Sequence, residues 1–281
     1  MLKTRVVTAL VLIPVVMAAL FALDAHAWGV LMLLVVCIGA AEWARLASLD
    51  PRAMMLFVGA TLATGAALLW LPAAGLAENR GWPDAWVLAI CGTAALFWIA
   101  LVPFWLVRRW HVRSRLLLAL TGWLVLVSTW FAVVHIQARS PGMLLALMAI
   151  VWIADSSAYF AGRRFGRHKL APAISPGKTW EGVYGAMFAV GAYALALLPL
   201  AERNGYARAL SAGAIVVWVA LVVLLAVLSV SGDLFESLLK RQRGVKDSGN
   251  VLPGHGGVLD RIDALTAAMP AAALVVNYVL R

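Results

Sequence analysis

The sequence predicts an all-α fold: a polytopic integral membrane bundle with about nine transmembrane helices and a cytoplasmic N-terminus. Hydrophobic residues make up 64% of the chain and charged residues only 13%, whereas soluble domains are roughly half apolar and a quarter charged. The apolar residues also form separate segments of helical length. Membrane barrels instead alternate apolar and polar residues along short strands. These two observations exclude a soluble protein and favour a helical bundle over a barrel.

Nine apolar segments are long enough to cross a hydrocarbon core of about 30 Å. They run over 6–23, 27–42, 54–73, 85–106, 116–135, 143–161, 183–200, 208–231 and 264–280. The first segment begins like a secretory signal peptide, but its apolar run is longer and a second span follows directly. We therefore expect an uncleaved first helix and a single membrane domain over 1–281. Within it we distinguish an N-terminal helical half (1–140) and a catalytic half (141–281).

The distribution of lysine and arginine predicts the orientation. With nine spans and the N-terminus inside, 18 of the 23 lysines and arginines fall on the cytoplasmic side and 5 on the other, which is the usual bias of cytoplasmic loops. The two longest polar loops, 162–182 and 232–263, then share the cytoplasmic face. The net charge of +10 thus reflects topology, and no nucleic acid partner is expected. Cys37 and Cys91 lie in separate spans and predict neither a disulfide nor a metal site.

Carboxylates in and beside these two loops predict a metal site. Asp155 lies inside an apolar span, where a charge is costly and should face a cavity or a partner, although an ion pair that fixes packing would also account for it. Asp233 and Glu236 are three residues apart, as are Asp260 and Asp263, so each pair would share a helix face. Carboxylates at the ends of two adjacent spans could converge on a hard divalent cation with oxygen ligands.

Cations and glycines in the same loops predict phosphate binding. The first loop offers Ser175, Lys178 and Thr179 near a helix start, followed by Glu181. Its Gly-Lys-Thr is not a P-loop, because Pro172 stands where the first glycine should be. The second loop adds Lys240, Arg241, Lys246 and Arg261, the glycines Gly256 and Gly257, and His255, which is either a donor or a turn residue. Acids for a metal, bases for phosphate and glycine for close approach together describe metal-assisted phosphoryl or nucleotidyl transfer.

The residues from Ser237 to Asp263 resemble the signature of the phosphatidate cytidylyltransferase family, the CDP-diacylglycerol synthases. The similar positions include Lys240-Arg241, Lys246-Asp247-Ser-Gly249 and Leu252-Pro-Gly-His-Gly-Gly-Val-Leu-Asp-Arg-Ile-Asp263. Segments 154–159, 174–182 and 231–237 resemble the same family. Ala264 departs from the serine that members often have there, which puts one hydroxyl contact in doubt. The first five spans are similar only in being hydrophobic.

The resemblance implies CTP and phosphatidic acid as substrates, and CDP-diacylglycerol and pyrophosphate as products, in phospholipid biosynthesis. It also implies Mg²⁺ with help from K⁺, a metal centre at Asp233 and Asp260, and a homodimer. The compact length and the lack of organelle signals favour a bacterial inner membrane. Two alternatives stay open: an enzyme that uses CTP on an isoprenoid alcohol or phosphate, and a transporter whose acids line an ion path.

The predicted site residues fall into three groups. The catalytic group is Asp233, Asp260, Lys240, Lys246, His255 and Arg261. The substrate-binding group is Ser175, Lys178, Thr179, Glu181, Arg241, Asp247, Gly256 and Gly257. The metal ligands are Asp233, Asp260, Asp263 and Asp155.

Overall fold

Long apolar helices make up most of the protein in the computed structural model. The structure describes residues 2–71, 76, 80–203 and 211–280, and within these ranges the side chains of 2–7, 9, 201 and 202 are outside the description. The helices are α1 (Leu2–Ala22), α2 (Ala25–Leu46), α3 (Pro51–Trp70), α4 (Asp84–Leu96), α5 (Val102–Arg108), α6 (Arg115–Arg139), α7 (Pro141–Phe165), α8 (Trp180–Ala196), α9 (Leu198–Arg203), α10 (Ala212–Gln242) and α11 (Leu259–Tyr278). A π-helical turn, Phe97–Leu101, joins α4 to α5.

Seven helical stretches in the described part of the chain are long and apolar enough to cross a membrane. They comprise α2, α3, α4 with α5, α6, α7, α8 with the residues up to Leu200, and α10. The prediction of a polytopic helical membrane protein is therefore confirmed. The first and last predicted spans are helical in α1 and α11 but are not among the seven, and α1 contributes a shorter apolar helix, Leu10–Ala22. The predicted spans 54–73 and 208–231 extend partly outside the described residues, and the orientation of the bundle stays a prediction.

Side-chain caps fix the starts of several helices. Asp24, Asp50, Ser114, Ser140 and Thr179 each accept a hydrogen bond from a backbone N–H in the first turn of the helix that follows. Short side chains with an oxygen are favoured at this position because the first backbone N–H groups of a helix have no partner within it. Local sequence thus determines where α2, α3, α6, α7 and α8 begin.

A short antiparallel hairpin fills the first predicted loop. Strand β1 (Lys169–Ala171) pairs with β2 (Ser175–Thr179), and α8 starts directly after β2. The prediction of helices alone missed this pair of strands. The second predicted loop is shorter than expected, because α10 continues to Gln242 and α11 begins at Leu259. Only residues 243–258 therefore connect the two helices, and we call this segment the 243–258 connection.

The centre of the bundle is formed by α6 and α11. Residues 125–138 of α6 and 264–273 of α11 are all buried. Beside them, Phe235 of α10 packs edge-on against Phe97, Trp98 and Trp105, with ring centroids 5.8, 5.6 and 5.2 Å away. These contacts hold the end of α10 against the α4–α5 helix, so that the charged residues that follow Phe235 have a fixed position.

Candidate active site

A buried lysine joins two carboxylates where α10 meets α11. Lys240 Nζ lies 3.0 Å from Glu236 Oε2 and 2.6 Å from Asp260 Oδ1. The side chains of Lys240, Glu236 and Asp260 are only 10%, 4% and 7% exposed. Glu236 and Lys240 are one helical turn apart on α10, so their spacing places both on the face that meets α11. We call these three residues the Lys240 network.

Asp260 also fixes the 243–258 connection. Its Oδ2 accepts hydrogen bonds from the backbone N–H of Ser248 (2.9 Å), the Ser248 hydroxyl (3.0 Å) and the backbone N–H of Gly257 (2.9 Å). Gly256 has φ +82°, and a Cβ there would lie 2.8 Å from this oxygen. Glycine is therefore required at 256 both for the backbone conformation and for the approach to the carboxylate.

The N-terminal half supplies one polar residue of this centre that the sequence analysis missed. Glu42 of α2 is fully buried. The Ser248 hydroxyl lies 3.1 Å from its carboxylate and shares its single proton between Glu42 and Asp260. The carboxylate also accepts hydrogen bonds from Val258 N–H (3.0 Å) and Leu259 N–H (2.8 Å). The N–H groups of Val258 and Leu259 lie at the start of α11, so they have no acceptor within the helix itself. A negative charge is favourable at this end of a helix. Glu42 thus anchors the first turn of α11, and with it Asp260.

The signal that could have found Glu42 is the one used for Asp155. A single carboxylate in an apolar segment needs a partner inside the bundle. The second predicted span ends at residue 42, so Glu42 falls on its boundary and is not selected as a charge inside a span. In the structure α2 continues to Leu46, which places Glu42 inside the helix.

Replacing Glu42 with glutamine is expected to lower the free energy of unfolding by about 1–3 kcal/mol, because an amide NH₂ would face either the Val258 N–H or the donors of Leu259 and Ser248. Unfolding in detergent under SDS titration would measure the change. Asp50→Asn is the matched control, since Asp50 is an exposed cap of α3 and asparagine caps helices as well as aspartate. An unchanged free energy for Glu42→Gln would contradict the anchoring role.

A second group of predicted residues lines a cavity of about 520 Å³ between α7, the hairpin, α8 and α10. Lys178 Nζ and Asp233 Oδ2 are 2.6 Å apart there, and both side chains are partly accessible. Asp155 and Ser175 line the same cavity. We call it the Lys178 cavity. Its volume lies within the range of about 300–1,000 Å³ typical of small-molecule sites.

Gly232 allows α10 and α11 to pack closely against each other. A Cβ at this position would lie 2.5 Å from the backbone oxygen of Asp263 and 3.3 Å from Ala264 Cα, so the backbones of α10 and α11 are in direct contact. Asp263 on α11 therefore lies close enough to Asp233 and Glu236 for their charges to act on it. Asp233 of the Lys178 cavity and Glu236 of the Lys240 network are thus both close to Asp263.

Several predicted substrate-binding residues have structural partners in the hairpin region. The Thr179 hydroxyl accepts a hydrogen bond from Gly182 N–H, which caps α8. Glu181 accepts from His168 N–H and lies 2.7 Å from His168 Nδ1, so it holds the start of the hairpin. Arg241 donates to the carbonyls of Ile174 and Val245. Thr179 lines the Lys178 cavity, whereas Glu181 and Arg241 are not among its lining residues in the described part of the chain.

The remaining predicted residues lie on or beside the 243–258 connection. Arg261 donates two hydrogen bonds to the carbonyl of His255, at 3.1 and 2.7 Å, and His255 is half-buried. Lys246 and Asp247 are exposed. Gly257 contributes its N–H to Asp260, as described above. Arg261, His255 and Gly257 thus shape the 243–258 connection.

The carboxylates of the Lys178 cavity have oxygen atoms of the kind that bind a hard divalent cation. Asp155 and Asp233 line the same cavity, and Mg²⁺ is commonly held by one or two carboxylates together with waters and substrate phosphates. Within the described residues no group of three or more His, Cys, Asp or Glu is placed to hold a metal ion by itself. Both oxygens of Asp233 and of Asp260 already have partners in the protein. Those of Asp233 contact the Ser237 hydroxyl and Lys178, and those of Asp260 contact Lys240 and two backbone N–H groups.

Comparison with known proteins places these residues in a family. The model of the cytidylyltransferase family matches residues 3–279. The phosphatidate cytidylyltransferase of Pseudomonas aeruginosa is 40% identical over 281 aligned residues, covering 97% of this chain and 96% of its own. That of Haemophilus influenzae is 36% identical and covers 100% of both chains. That of Brucella abortus is 49% identical over 122 residues, 43% of this chain and 42% of its own. The match of the family model over nearly the whole length shows that the chain belongs to the cytidylyltransferase family.

Proposed function

We propose that this chain is an enzyme that transfers the cytidylyl group of CTP to phosphatidic acid, giving CDP-diacylglycerol and pyrophosphate. The observation that carries the proposal is the Lys178 cavity, in which a cation and two carboxylates meet at the junction of α7, the hairpin and α10. The full-length relatives from Pseudomonas aeruginosa and Haemophilus influenzae support the same activity, since both are named phosphatidate cytidylyltransferase.

Phosphate groups of the two substrates would be neutralised by cations of the Lys178 cavity. Arg163, Lys169 and Lys178 all line it, and lysine and arginine are the usual partners of phosphate oxygens. At Gly177 a Cβ would meet nothing within 4 Å, so the backbone there is open to close approach by a ligand. The Ser175 hydroxyl adds a donor on the same side.

The reaction is a displacement at the α-phosphorus of CTP. A phosphate oxygen of phosphatidic acid forms the new P–O bond, and the bond from the α-phosphorus to the bridging oxygen breaks, so that its electron pair leaves with pyrophosphate. A phosphate monoester is mostly dianionic near neutral pH because its second pKa is about 6. A strong general base is therefore not required. Lys178 and its neighbouring cations would stabilise the charge that builds on the triphosphate.

Mg²⁺ is part of this proposal, with K⁺ as an additional ion. Asp233 and Asp155 would hold Mg²⁺ at the cavity, with Asp263 nearby. When bound, the ion would supply charge stabilisation for the leaving pyrophosphate. To bind the ion, Asp233 would exchange its contact with Lys178, and Asp260 would exchange its contact with Lys240.

The cellular setting is also proposed. The 18 to 5 distribution of lysine and arginine supports a site on the cytoplasmic face. The bacterial relatives support an inner membrane, and the family resemblance supports a homodimer. Cysteine labelling of loop positions in intact cells would test the orientation, and light scattering of the protein–detergent complex would test the dimer.

The test uses protein purified in detergent with α-³²P-labelled CTP, phosphatidic acid and Mg²⁺. Label is expected in an organic-soluble lipid, and EDTA is expected to abolish its appearance. Lys178→Gln should lower the rate by about 100-fold or more, as expected for the loss of a group that stabilises transition-state charge. Arg164→Gln is the matched control, because Arg164 lies nearby and is not among the described residues that line the cavity.

Three outcomes would contradict parts of the proposal. If label enters lipid only when a polyprenyl phosphate is supplied, the chain is a cytidylyltransferase with a different lipid substrate. If label enters lipid equally well in the presence of EDTA, the reaction does not require a divalent metal ion. Folded protein that labels neither lipid would exclude the transferase and leave the transporter alternative.

A further inference from the structure

A second, strongly cationic cavity lies away from the Lys178 cavity. It has a volume of about 250 Å³ and is lined by Ser48, His111, Arg113, Arg115, Gln242 and Arg243 together with apolar residues. None of the described residues that line it is acidic. Asp50 is near enough for Arg115 to act on its charge, but three arginines still leave an excess of positive charge. We call it the arginine cavity.

An apolar groove adjoins the arginine cavity. It has a volume of about 330 Å³ and is lined mostly by aromatic and aliphatic residues, among them Phe97, Trp105, Leu117 and Leu120. Val112 lines both spaces, so they lie side by side. Leu117 and Leu120 are 48% and 55% exposed, and they lie on α6, one of the helices long enough to cross the membrane. The groove is therefore accessible from the outside of the bundle.

We propose that the arginine cavity and the apolar groove together bind one molecule of an anionic glycerophospholipid, at a site separate from the Lys178 cavity. The phosphate of its headgroup would contact Arg113, Arg115 and Arg243, and an acyl chain would lie along Leu117 and Leu120. Arginine suits phosphate because its planar fork donates two parallel hydrogen bonds. The groove distinguishes this occupant from a soluble phosphate, which has nothing to place against an apolar wall. This binding does not depend on the proposed function.

The walls of the site are tied to one another. Arg243 Nε donates to the Leu46 carbonyl at 2.5 Å, and Gln242 Nε2 donates to the Trp110 carbonyl at 2.9 Å. Trp105 Nε1 donates to the same Trp110 carbonyl at 2.9 Å. The ends of α2, α5 and α10 are thus held together around the cavity, so that its shape is formed before a lipid arrives.

The site also contacts the helix that carries the Lys240 network. Arg243 follows Lys240 by three residues at the end of α10. Phe97 and Trp105, which line the groove, pack edge-on against Phe235, the residue before Glu236. Lipid in this site would therefore touch α10 close to the Lys240 network.

Native mass spectrometry of the detergent-purified protein tests the proposal, with phosphatidylglycerol and phosphatidylcholine of identical acyl chains as probes. The variant Arg113→Gln/Arg115→Gln/Arg243→Gln should bind phosphatidylglycerol roughly tenfold or more weakly, because it removes the arginines that would contact the lipid phosphate directly. Leu120→Trp, which fills the groove, should also weaken binding. Arg52→Gln/Arg108→Gln/Arg109→Gln is the matched control, since it removes the same charge from arginines outside the described lining. It should bind like the wild type, and phosphatidylcholine should bind weakly to every protein.

Equal retention of phosphatidylglycerol by the wild type and the arginine-cavity variant would overturn the proposal. Displacement of phosphatidylglycerol by excess glycerol 3-phosphate, with Leu120→Trp binding normally, would show a site for a free phosphate instead and would also overturn it. If the triple variant does not fold, the single variants Arg113→Gln and Arg115→Gln should each show a smaller loss of the same kind. Normal binding in both would count against the site.

Discussion

Replacement of Asp260 with asparagine is expected to lower cytidylyl transfer by about 100-fold or more, while the protein still inserts into the membrane. Asp260 accepts from Lys240 on one oxygen and from the N–H groups of Ser248 and Gly257 on the other. Asparagine has one oxygen and one NH₂ group. Whichever way the amide is oriented, a donor faces a donor, and the charge that pairs with Lys240 is gone. The 243–258 connection and the start of α11 then lose their common anchor.

The measurement is the rate of CTP-dependent lipid labelling at matched amounts of folded protein. Asp24→Asn provides the control, because Asp24 caps α2 and asparagine is an equivalent cap. It should keep wild-type activity and elution on size exclusion. A rate for Asp260→Asn within a few-fold of the control would show that neither the charge nor the anchor matters for turnover.

Replacement of Lys240 with methionine is expected to destabilise the protein by about 3–5 kcal/mol, the range seen when one partner of a buried ion pair is removed. Glu236 and Asp260 would be left as buried carboxylates without their cation, and the side chains of both are less than a tenth exposed. Methionine keeps the apolar length of the lysine, so the loss reports the charge and not a cavity. Turnover should fall as well, because Asp260 loses its partner.

The free energy of unfolding under SDS titration measures this effect. Lys246→Met is the matched control, since Lys246 is exposed and such substitutions usually change stability by less than about 0.5 kcal/mol. The double variant Glu236→Gln/Lys240→Met should recover part of the loss, because one of the two unpaired charges is removed with the lysine. No recovery in the double variant, or no loss in the single one, would contradict the Lys240 network as a source of stability.

The positions of single helices followed from local patterns. Apolar runs of spanning length predicted α2 to α8 and α10, and the capping residues Asp24, Asp50, Ser114, Ser140 and Thr179 mark where helices start. These patterns act over a few residues, so the sequence alone reveals them. The ends of α10 and α11 were less clear, because their charged turns resemble a loop until a buried partner is known.

The sequence by itself determined the class of the protein and the residue types of its site. It predicted a helical membrane bundle, which was confirmed, and the 237–263 signature pointed to the family to which the chain belongs. Asp155 could be selected because a charge in an apolar segment needs a partner or a cavity. Asp233 could be selected because it lies three residues before Glu236 at the end of a span, where the two would share a helix face. The roles of the predicted catalytic residues stay predictions.

Only the tertiary structure decided which of these residues meet. Glu42 is distant from Ser248 and Leu259 in the chain, and the pairing of Lys178 with Asp233 joins a hairpin to a helix. Such contacts depend on how closely the helices pack, and at Gly232 the missing side chain lets α10 and α11 touch through their backbones. The sequence shows which side-chain types are present and how they are spaced along the chain. Their distances are set by packing between segments far apart in the sequence, because each helix buries its apolar face against whichever neighbour fits it.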